Sequence, residues 1–201
     1  MFILGLTGGI ACGKSTASRW LQRQGAAVVD ADAVAHSLMV PGGSLYAAYV
    51  KHWGEAILQP EGTLDRHAIG RRVFGDKAAE QWLNATAHPL IREAIMVEVE
   101  RLRAAGTRVC VLDVPLLYES GWDALCDKVC VLWLRPEVQR ARLTARNGYS
   151  EAEATARIAA QMPLAEKCAR ANYVIDNNGS RRATARQLAT MWEEIQHDAN
   201  A

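Results

Sequence analysis

The stretch GGIACGKST, at residues 8–16, decides the fold of this chain. It follows the apolar run FILGL at residues 2–6 and leads into a pattern that is typical of a helix. The spacing G-x-x-x-x-G-K-S is that of a phosphate-binding loop, in which backbone N–H groups and a helix N-terminus surround an anion. The alternative is a glycine-rich turn, but the strand before the stretch and the helix after it favour a nucleotide site.

The residue types in this loop suit a triphosphate. Gly8 and Gly13 allow backbone angles that a side chain would forbid, so the backbone can approach the phosphates closely. Lys14 supplies a positive charge for the β- and γ-phosphates, and the hydroxyl of Ser15 suits Mg²⁺. The loop therefore predicts a site for a nucleoside triphosphate and its metal ion.

Cys12, inside the loop, allows two interpretations. It lies two residues before Lys14 and close to the N-terminus of the predicted helix. Positive surroundings favour the thiolate, which predicts a lowered pKa and a reactive thiol in the empty protein. The alternative is that Cys12 fills a tolerant position and points into the core, where a thiol is inert.

The composition indicates a chain with a substantial hydrophobic core. Its 201 residues suit one domain with an inserted subdomain, and half of them are hydrophobic. The net charge of +1 gives no indication of a nucleic-acid partner. No apolar run reaches the roughly eighteen residues of a membrane span, and the first strand begins too early for a signal peptide. Five cysteines without a C-x-x-C motif indicate free thiols in a reducing compartment, so we expect the cytoplasm.

The order of the elements predicts an α/β fold with a parallel sheet covered on both faces. Strands are expected at residues 1–6, 26–29, 109–113, 128–134 and 173–175, with helices between them. Residues 44–105 show helical patterns and no strand, which predicts a helical insertion lying over the sheet. His88-Pro89 is expected to open its last long helix, since proline suits a first turn. Ser150 and Glu153 have the spacing of a capping box, which predicts another helix start.

Polar residues follow the carboxyl ends of the predicted strands, where parallel sheets bind ligands. Asp113 ends the third strand; it is expected to hold Mg²⁺ directly or through water, and the alternative is a cap on a nearby amide. Asp32 follows the second strand and is expected to accept a proton from an attacking hydroxyl or to orient it. A helix N-cap is the other role of Asp32, and the two can coexist. Asp30 is interpreted as structural.

Arginines on one later helix predict a lid. Arg142 and Arg146 are four residues apart and therefore share a helix face. Arginines stabilise the charge that spreads over a phosphoryl group in transfer, whereas the alternative is a solvated basic face. Arg92, one turn after His88, is a candidate for binding a substrate phosphate, and His88 itself is a weaker candidate.

Taken together, these stretches resemble the dephospho-CoA kinase family over nearly the whole chain. The phosphate loop alone marks a broad superfamily, but an ordered set of six stretches is more specific. Cys12 and Asn172 depart from the family pattern, where a small residue and an acidic residue are usual. The six stretches are LTGGI with GKST at residues 6–16, VDAD at 29–32, HPLIR at 88–92, DVPLLYE at 113–119, RIAAQ at 157–161 and VIDNNG at 174–179.

The resemblance implies a three-layer fold of the P-loop NTPase type with a five-stranded parallel sheet. It implies a core of residues 1–40, 106–136 and 171–201, a helical CoA-binding subdomain at about 41–105 and a lid at about 137–170. The implied reaction transfers the γ-phosphate of ATP, with Mg²⁺, to the ribose 3′-hydroxyl of dephospho-CoA, the last step of coenzyme A synthesis. We expect a monomer or weak homo-oligomer that binds neither nucleic acid nor membrane.

The same resemblance assigns site residues. Asp32, Lys14 and Arg142 are the expected catalytic residues, with Asp32 on the hydroxyl and Arg142 on the transferring phosphoryl group. Asn177 is expected near the adenine, and the expected metal ligands are Ser15 and Asp113. The expected acceptor-binding residues are Thr7, Asp32, His88, Arg92 and Leu116. The expected ATP-binding residues are Gly8, Gly9, Ala11, Cys12, Gly13, Lys14, Ser15, Thr16, Arg142, Arg146 and Asn177.

Two other functions share part of this sequence pattern. Another small-molecule kinase, acting on a nucleoside, a nucleotide or shikimate, would share the loop and the lid. A GTP-binding switch or regulatory ATPase would belong to a different class. A GTPase should carry N-K-x-D after a late strand, whereas this chain has Asp-Asn-Asn-Gly at residues 176–179 and no N-K-x-D.

Overall fold

A computed structural model describes residues 1–200 and contains a five-stranded sheet. The strand order is β2-β3-β1-β4-β5, and the pairs β1–β3, β1–β4 and β4–β5 run parallel. The predicted α/β fold with its five-stranded parallel sheet is therefore confirmed. The strands are β1 (Phe2–Gly8), β2 (Ala27–Asp30), β3 (Val109–Asp113), β4 (Lys128–Trp133) and β5 (Tyr173–Asp176).

Nine α-helices accompany the sheet within residues 1–200. Two 3-10 turns, Gly54–Ile57 and Trp122–Leu125, complete the regular structure of this range. The helices are α1 (Lys14–Arg23), α2 (Ala31–Leu38), α3 (Ser44–Trp53), α4 (Arg66–Val73), α5 (Lys77–Ala104), α6 (Pro136–Asn147), α7 (Glu151–Ala159), α8 (Leu164–Arg170) and α9 (Arg181–Asp198). Within residues 1–200, every helix is too short or too polar to cross a lipid bilayer.

The first of two compact units contains residues 1–29 and 102–201. Its strands are apolar runs because a parallel sheet is buried on both faces; all five residues of β3 are buried. Leu21 of α1 and Leu188 and Ile195 of α9 pack into the same hydrophobic core as the strands. Since β3 and β4 lie on either side of β1, the loop after β1 emerges between their ends, where such sheets bind ligands.

The second compact unit contains residues 30–101. It is helical apart from one antiparallel bridge between Leu58 and Leu64, and it has its own hydrophobic cluster. The apolar side chains of that cluster therefore pack against one another within this unit. Its buried members are Leu45, Tyr49, Ile57, Leu64, Ile69 and Ala87.

The expected start of a helix at His88 is wrong. Helix α5 begins at Lys77 and runs through Pro89, which lies inside it. Apolar residues on both sides of the proline, Leu83 before it and Leu90 after it, pack into one cluster, so tertiary packing outweighs the local cost of proline. The N–H groups at the true start are capped by Asp76, whose Oδ1 accepts from two backbone N–H groups at 2.9 and 3.1 Å.

The capping box at Ser150 and the structural role of Asp30 are confirmed, whereas the alternative of Asp32 as a helix N-cap is wrong. Ser150 and Glu153 form the capping box of α7: Glu153 N donates to Ser150 Oγ at 3.2 Å and Ser150 N donates to Glu153 Oε2 at 2.9 Å. Asp30 is structural, because its Oδ1 accepts from the N–H groups of Asp32 and Ala33 at 2.9 and 3.2 Å. The N-cap of α2 is therefore Asp30, which leaves the carboxylate of Asp32 for another role.

Candidate active site

The loop between β1 and α1 has the backbone of a phosphate cradle. Gly13, the residue before α1, has φ 92°, in the left-handed region that favours glycine. Ala11 has φ 63° and is the only non-glycine residue with positive φ within residues 1–200. The turn is closed by a hydrogen bond from Cys12 N to Gly9 O at 3.1 Å. Gly13 has no side chain to cap α1, so the first N–H groups of this helix are available to an anion.

Two glycines of the loop make room for polar side chains from elsewhere in the first unit. A Cβ atom on Gly9 would collide with Gln139 Nε2, and one on Gly13 would collide with Asn177 Nδ2. These glycines thus serve close packing against the loop as well as backbone freedom. The glycine spacing in the sequence predicts the backbone freedom, but it does not predict the close packing against the loop.

Lys14 and Asp113 meet at the end of the sheet. Lys14 Nζ donates to Asp113 Oδ1, and their side chains are only 18% and 3% exposed. The register pairs Asp113 of β3 with Leu6 of β1, which places the carboxylate beside the start of the loop. The predicted position of Asp113 at the strand end next to the loop is therefore what the structure shows.

The donor set beside the loop fits a magnesium ion. Mg²⁺ takes oxygen ligands and is usually held by one or two protein groups together with substrate phosphates. Asp113 offers carboxylate oxygens and Ser15, exposed at the start of α1, offers a hydroxyl. Within residues 1–200, no group of three or more His, Cys, Asp or Glu side chains is arranged to hold a metal ion.

Arg142 and Asn177 converge on the same loop. Arg142 Nη2 donates to Asn177 O at 3.0 Å, and Asn177 Nδ2 donates to Cys12 O at 2.8 Å. Asn177 is held in turn by Thr184, whose hydroxyl donates to Asn177 Oδ1 at 2.9 Å. Arg146, one turn further along α6, is exposed, and its Nε donates to Asn147 Oδ1 at 2.8 Å. Arg142 is thus connected to the loop through Asn177, whereas Arg146 is bonded at the end of its helix.

A cavity of about 380 Å³ lies between α1 and α9. Thr16 of the loop and Asn177 both line it, so it adjoins the phosphate cradle. Trp20 gives it an aromatic surface, and three arginines give it positive charge. The full lining is Thr16, Arg19, Trp20, Arg23, Asn177, Arg181, Thr184, Ala185 and Leu188.

The reactive interpretation of Cys12 is wrong, because the side chain is packed into the core. Cys12 is 1% exposed and belongs to the main hydrophobic cluster. Burial raises the pKa of its thiol to about 11, which outweighs the lowering by the Gly9 backbone, Arg142 and Lys167. A thiol in this state is inert at neutral pH.

The residues expected at the acceptor site lie in both units. In the first unit, Thr7 is fully buried and its hydroxyl donates to Pro115 O at 3.0 Å, while Leu116 in the same connection is 41% exposed. In the second unit, Asp32 is exposed in the first turn of α2. His88 and Arg92 are exposed one turn apart on α5.

Four polar residues that sequence reasoning missed connect the loops of this site. Ile10 N donates to Gln161 Oε1 and Gln139 Nε2 donates to Ile10 O, both at 2.9 Å. Lys167 is fully buried; its Nζ donates to Pro115 O at 3.0 Å and to Glu119 Oε1 at 2.8 Å. Glu119 and Gln161 stood in the quoted motifs, whereas Gln139 and Lys167 gave no signal beyond an ordinary polar helix residue.

Glu119 ties the end of the α6–α7 segment to the connection after β3. Its Oε1 accepts from Met162 N at 3.0 Å as well as from Lys167 Nζ. Burial raises the pKa of this carboxyl, but the bonds from Lys167 and from backbone N–H groups outweigh it, so the pKa is lowered overall. A carboxyl with a lowered folded-state pKa stabilises the fold above its usual pKa, and the stabilisation is lost as the pH falls through the lowered value.

We therefore expect Glu119→Gln to lower the free energy of unfolding by about 1–3 kcal/mol at neutral pH. The difference from wild type should shrink as the pH falls below 4.5, the usual value for this carboxyl, because the native carboxylate is then protonated. Denaturant unfolding across pH measures this difference. Glu166→Gln, at an exposed position of α8, is the matched control. A difference that stays constant down to acid pH would contradict the charged contact.

Comparison with known proteins agrees with the geometry. A family model described as dephospho-CoA kinase, CoaE, matches residues 2–183. A dephospho-CoA kinase of Symbiobacterium thermophilum is 50% identical over 192 residues, which cover 96% of this chain and 80% of that protein.

Two solved structures extend the likeness to three dimensions. TT1252 from Thermus thermophilus has a TM-score of 0.81 and 34% identity over 96% of this chain and 97% of its own. A dephospho-CoA kinase from Campylobacter jejuni has a TM-score of 0.74 and 28% identity, with 96% of each chain covered. With its phosphate loop, the Lys14–Asp113 pair and a family match across nearly its whole length, this chain belongs to the dephospho-CoA kinase family.

Proposed function

We propose that this protein transfers the γ-phosphoryl group of ATP to the ribose 3′-hydroxyl of dephospho-CoA, giving coenzyme A and ADP in the last step of coenzyme A synthesis. The observation that carries the proposal is the phosphate loop with Lys14 and Asp113 at its edge, in a chain of this family. Family membership also separates the chain from kinases of nucleosides, nucleotides or shikimate. No residue pattern favours a GTP-binding switch, since N-K-x-D is absent from the sequence.

ATP phosphates occupy the loop in this proposal. The N–H groups of Ala11, Gly13, Lys14 and Ser15 face the phosphates, whereas those of Cys12 and Thr16 stay bonded to Gly9 O and Gly13 O. Lys14 exchanges Asp113 for the β- and γ-phosphates when ATP arrives. Ser15 and Asp113 would hold Mg²⁺, directly or through water. The ion would supply positive charge that neutralises the phosphates. Gly8, Gly9, Cys12 and Gly13 contribute backbone and close packing.

The adenosine part of ATP is proposed to occupy the cavity beside the loop. Asn177 and Thr16 line this cavity, and Trp20 offers a face for the base. This refines the expectation that Asn177 lies near the adenine. The side-chain amide of Asn177 already bonds Cys12 O and Thr184, so its role is to shape the wall and hold the loop.

Arg142 and Arg146 are proposed to act on the transferring phosphoryl group from a lid at about residues 137–170. The guanidinium of Arg142 stabilises the charge that develops on the equatorial oxygens. Its bond to Asn177 O holds it in advance, so little side-chain freedom is lost in the reaction. Arg146 would also contact the phosphoryl group once the nucleotide is bound.

The acceptor is proposed to bind through the residues that the sequence predicts for it. Asp32 orients or deprotonates the 3′-hydroxyl, and His88 and Arg92 bind acceptor phosphate groups from a CoA-binding subdomain at about residues 41–105. Thr7 supports the connection that carries Leu116, and Leu116 offers an exposed apolar contact. The remaining segments, 1–40, 106–136 and 171–201, form the proposed core.

The proposed setting is the cytoplasm, where the enzyme works as a monomer or weak homo-oligomer without nucleic acid or membrane. Support comes from the cysteines, all five of which are free thiols, as in a reducing compartment. The net charge of +1 is also small for a protein that binds polyanions.

Mass-spectrometric detection of coenzyme A formed from ATP, Mg²⁺ and dephospho-CoA tests the proposed function. Parallel reactions replace dephospho-CoA with shikimate, with a nucleoside, or with no acceptor. We expect a new phosphate on dephospho-CoA alone and slow ATP hydrolysis when no acceptor is present. Rapid hydrolysis without an acceptor would favour a switch, and preference for another acceptor would overturn the proposed substrate.

Asp32→Asn should lower kcat by about 10²–10⁴-fold, the usual loss when a general base is removed. ATP affinity should barely change, because Asp32 acts on the acceptor in this proposal. Steady-state kinetics with calorimetric ATP binding measures both effects. Glu80→Gln, an exposed carboxylate in the first turn of α5, is the matched control. Equal losses in ATP affinity and kcat would move Asp32 to the metal site.

A further inference from the structure

Both backbone polar groups of Ile10, in the middle of the phosphate loop, are bonded to glutamine side chains. Its N–H donates to Gln161 Oε1 and its carbonyl accepts from Gln139 Nε2, each at 2.9 Å. Gln139 lies in the first turn of α6, and Gln161 lies two residues after the end of α7. The two ends of the α6–α7 segment therefore meet at one residue of the loop. We call Gln139, Gln161 and the backbone of Ile10 the glutamine clasp.

The clasp holds a turn that is locally unfavourable. The next residue, Ala11, has φ 63°, a conformation that costs a non-glycine residue about 1–3 kcal/mol and persists only when its surroundings enforce it. Gln139 is 4% exposed, and it reaches the loop because Gly9 leaves room for its amide. A hydrogen bond in such a buried position is stronger than one in water.

The far side of the clasp is anchored as well. Met162, next to Gln161, donates its N–H to Glu119 Oε1 at 3.0 Å, and Glu119 is bonded to the buried Lys167. Gln161 is thus fixed by its neighbour before it accepts from Ile10 N. Because Gln161 is already ordered, its hydrogen bond to the loop costs little conformational entropy.

We infer that Gln139 and Gln161 are positioning residues that hold the phosphate loop in its ATP-binding shape. The clasp acts through the backbone of Ile10 and Ala11, since neither glutamine side chain has to touch ATP. The inference rests on the proposed function, in which this loop binds the phosphates of ATP. Loss of the clasp weakens ATP binding and leaves binding of the acceptor unchanged.

The opposite roles of the two glutamines give a sharp test. Gln161 accepts a hydrogen bond, and a glutamate in its place still accepts one, whereas alanine does not. We expect Gln161→Ala to raise the dissociation constant for Mg-ATP about fivefold to tenfold, the effect of one lost hydrogen bond. Gln161→Glu adds the same negative charge beside Ile10 as Gln139→Glu but keeps the acceptor, so it should bind Mg-ATP about fivefold to tenfold more tightly than Gln139→Glu at pH 8. Isothermal titration calorimetry measures both values without the acceptor.

Gln139 donates its hydrogen bond, so the same substitution should have the opposite result there. In Gln139→Glu an ionised carboxylate cannot donate and repels Ile10 O, whereas the protonated acid has an O–H donor. Relative to wild type at each pH, Mg-ATP should bind about tenfold more weakly at pH 8 and recover as the pH falls. The positive charges of Arg142 and Lys167 act on Cys12, two residues after Ile10. Both charges are still present in Gln139→Glu.

Kinetics separates positioning from general damage to the fold. A positioning role raises KM for ATP and keeps KM for dephospho-CoA within about twofold of wild type. Loss of folded protein would lower kcat and leave both KM values unchanged; thermal unfolding and near-ultraviolet circular dichroism monitor that case.

Wild-type ATP affinity in both Gln161→Ala and Gln139→Glu at pH 8 would overturn the inference. If Gln161→Ala does not fold, the difference in Mg-ATP affinity between Gln161→Glu and Gln139→Glu at pH 8 decides, since both variants add one negative charge beside Ile10. A wild-type protein that binds ATP but forms no coenzyme A would refute the proposed substrate and leave the clasp standing.

Discussion

Lys14→Ala should abolish detectable phosphoryl transfer, with kcat reduced by about 10³-fold or more. The side chain lies at the start of α1, 18% exposed, beside the carboxylate that ends β3. In the proposed reaction its ammonium group contacts the β- and γ-phosphates and neutralises their negative charge. Steady-state assays at saturating ATP and dephospho-CoA measure the loss.

The same substitution should also cost stability, because Asp113 loses the cation beside it. The Asp113 side chain is only 3% exposed, so removing this contact should lower the free energy of unfolding by about 1–3 kcal/mol. Lys14→Arg keeps a positive charge beside Asp113 but changes the geometry of the side chain. Comparing it with Lys14→Ala shows how much of the loss is due to the charge alone. Arg186→Ala, which removes an exposed cation of α9, is the control for net charge. A folded Lys14→Ala protein with full activity would refute the role of Lys14.

Arg142→Ala should lower kcat by about 10³–10⁵-fold, while KM for either substrate changes little. Arginines on the transferring group act mainly in the transition state, where the charge is spread over the phosphoryl oxygens. Arg142 is half-buried and its Nη2 is bonded to Asn177 O, so the guanidinium is held next to the loop before ATP binds. Single-turnover kinetics with excess enzyme reports the chemical step directly.

Two further variants serve as controls for Arg142→Ala. Arg140→Ala removes an exposed arginine two positions away, which points to a different side of α6 and should keep wild-type kcat. Arg142→Lys retains the charge but loses the planar fork, so its kcat should lie between those of wild type and Arg142→Ala. If the alanine variant changes only KM, Arg142 binds a substrate and does not act in transfer.

The local patterns of this sequence were sufficient for the fold. Continuous apolar runs place the three central strands, which are largely buried. The edge strands β2 and β5 are only partly buried, but their short apolar runs also locate them. The capping box at Ser150 and the strand end at Asp113 were also predictable, because each depends only on residues a few positions away in the sequence. Pro89 was misread because the cluster that holds α5 together comes from residues far away in the sequence.

The missed contacts all span long stretches of chain. Gln139 and Gln161 reach Ile10 across 129 and 151 positions, and Lys167 reaches Pro115 across 52. A lysine on a short helix predicts exposure, yet Lys167 is fully buried between a carbonyl and a carboxylate. Propensity and spacing carry no information about such partners, which only the folded topology brings together.

The buried thiols have a consequence for the chemistry of the proposed substrate, whose pantetheine arm ends in a thiol and readily forms disulfides. Exchange with a disulfide requires an accessible protein thiolate. Burial raises the pKa of Cys12 to about 11 and of Cys126 to about 12, and it also raises the pKa of Cys130 and Cys168. At pH 7 only about one Cys12 in 10⁴ is ionised. We therefore expect an oxidised substrate to find no reactive thiolate at Cys12 in the nucleotide loop.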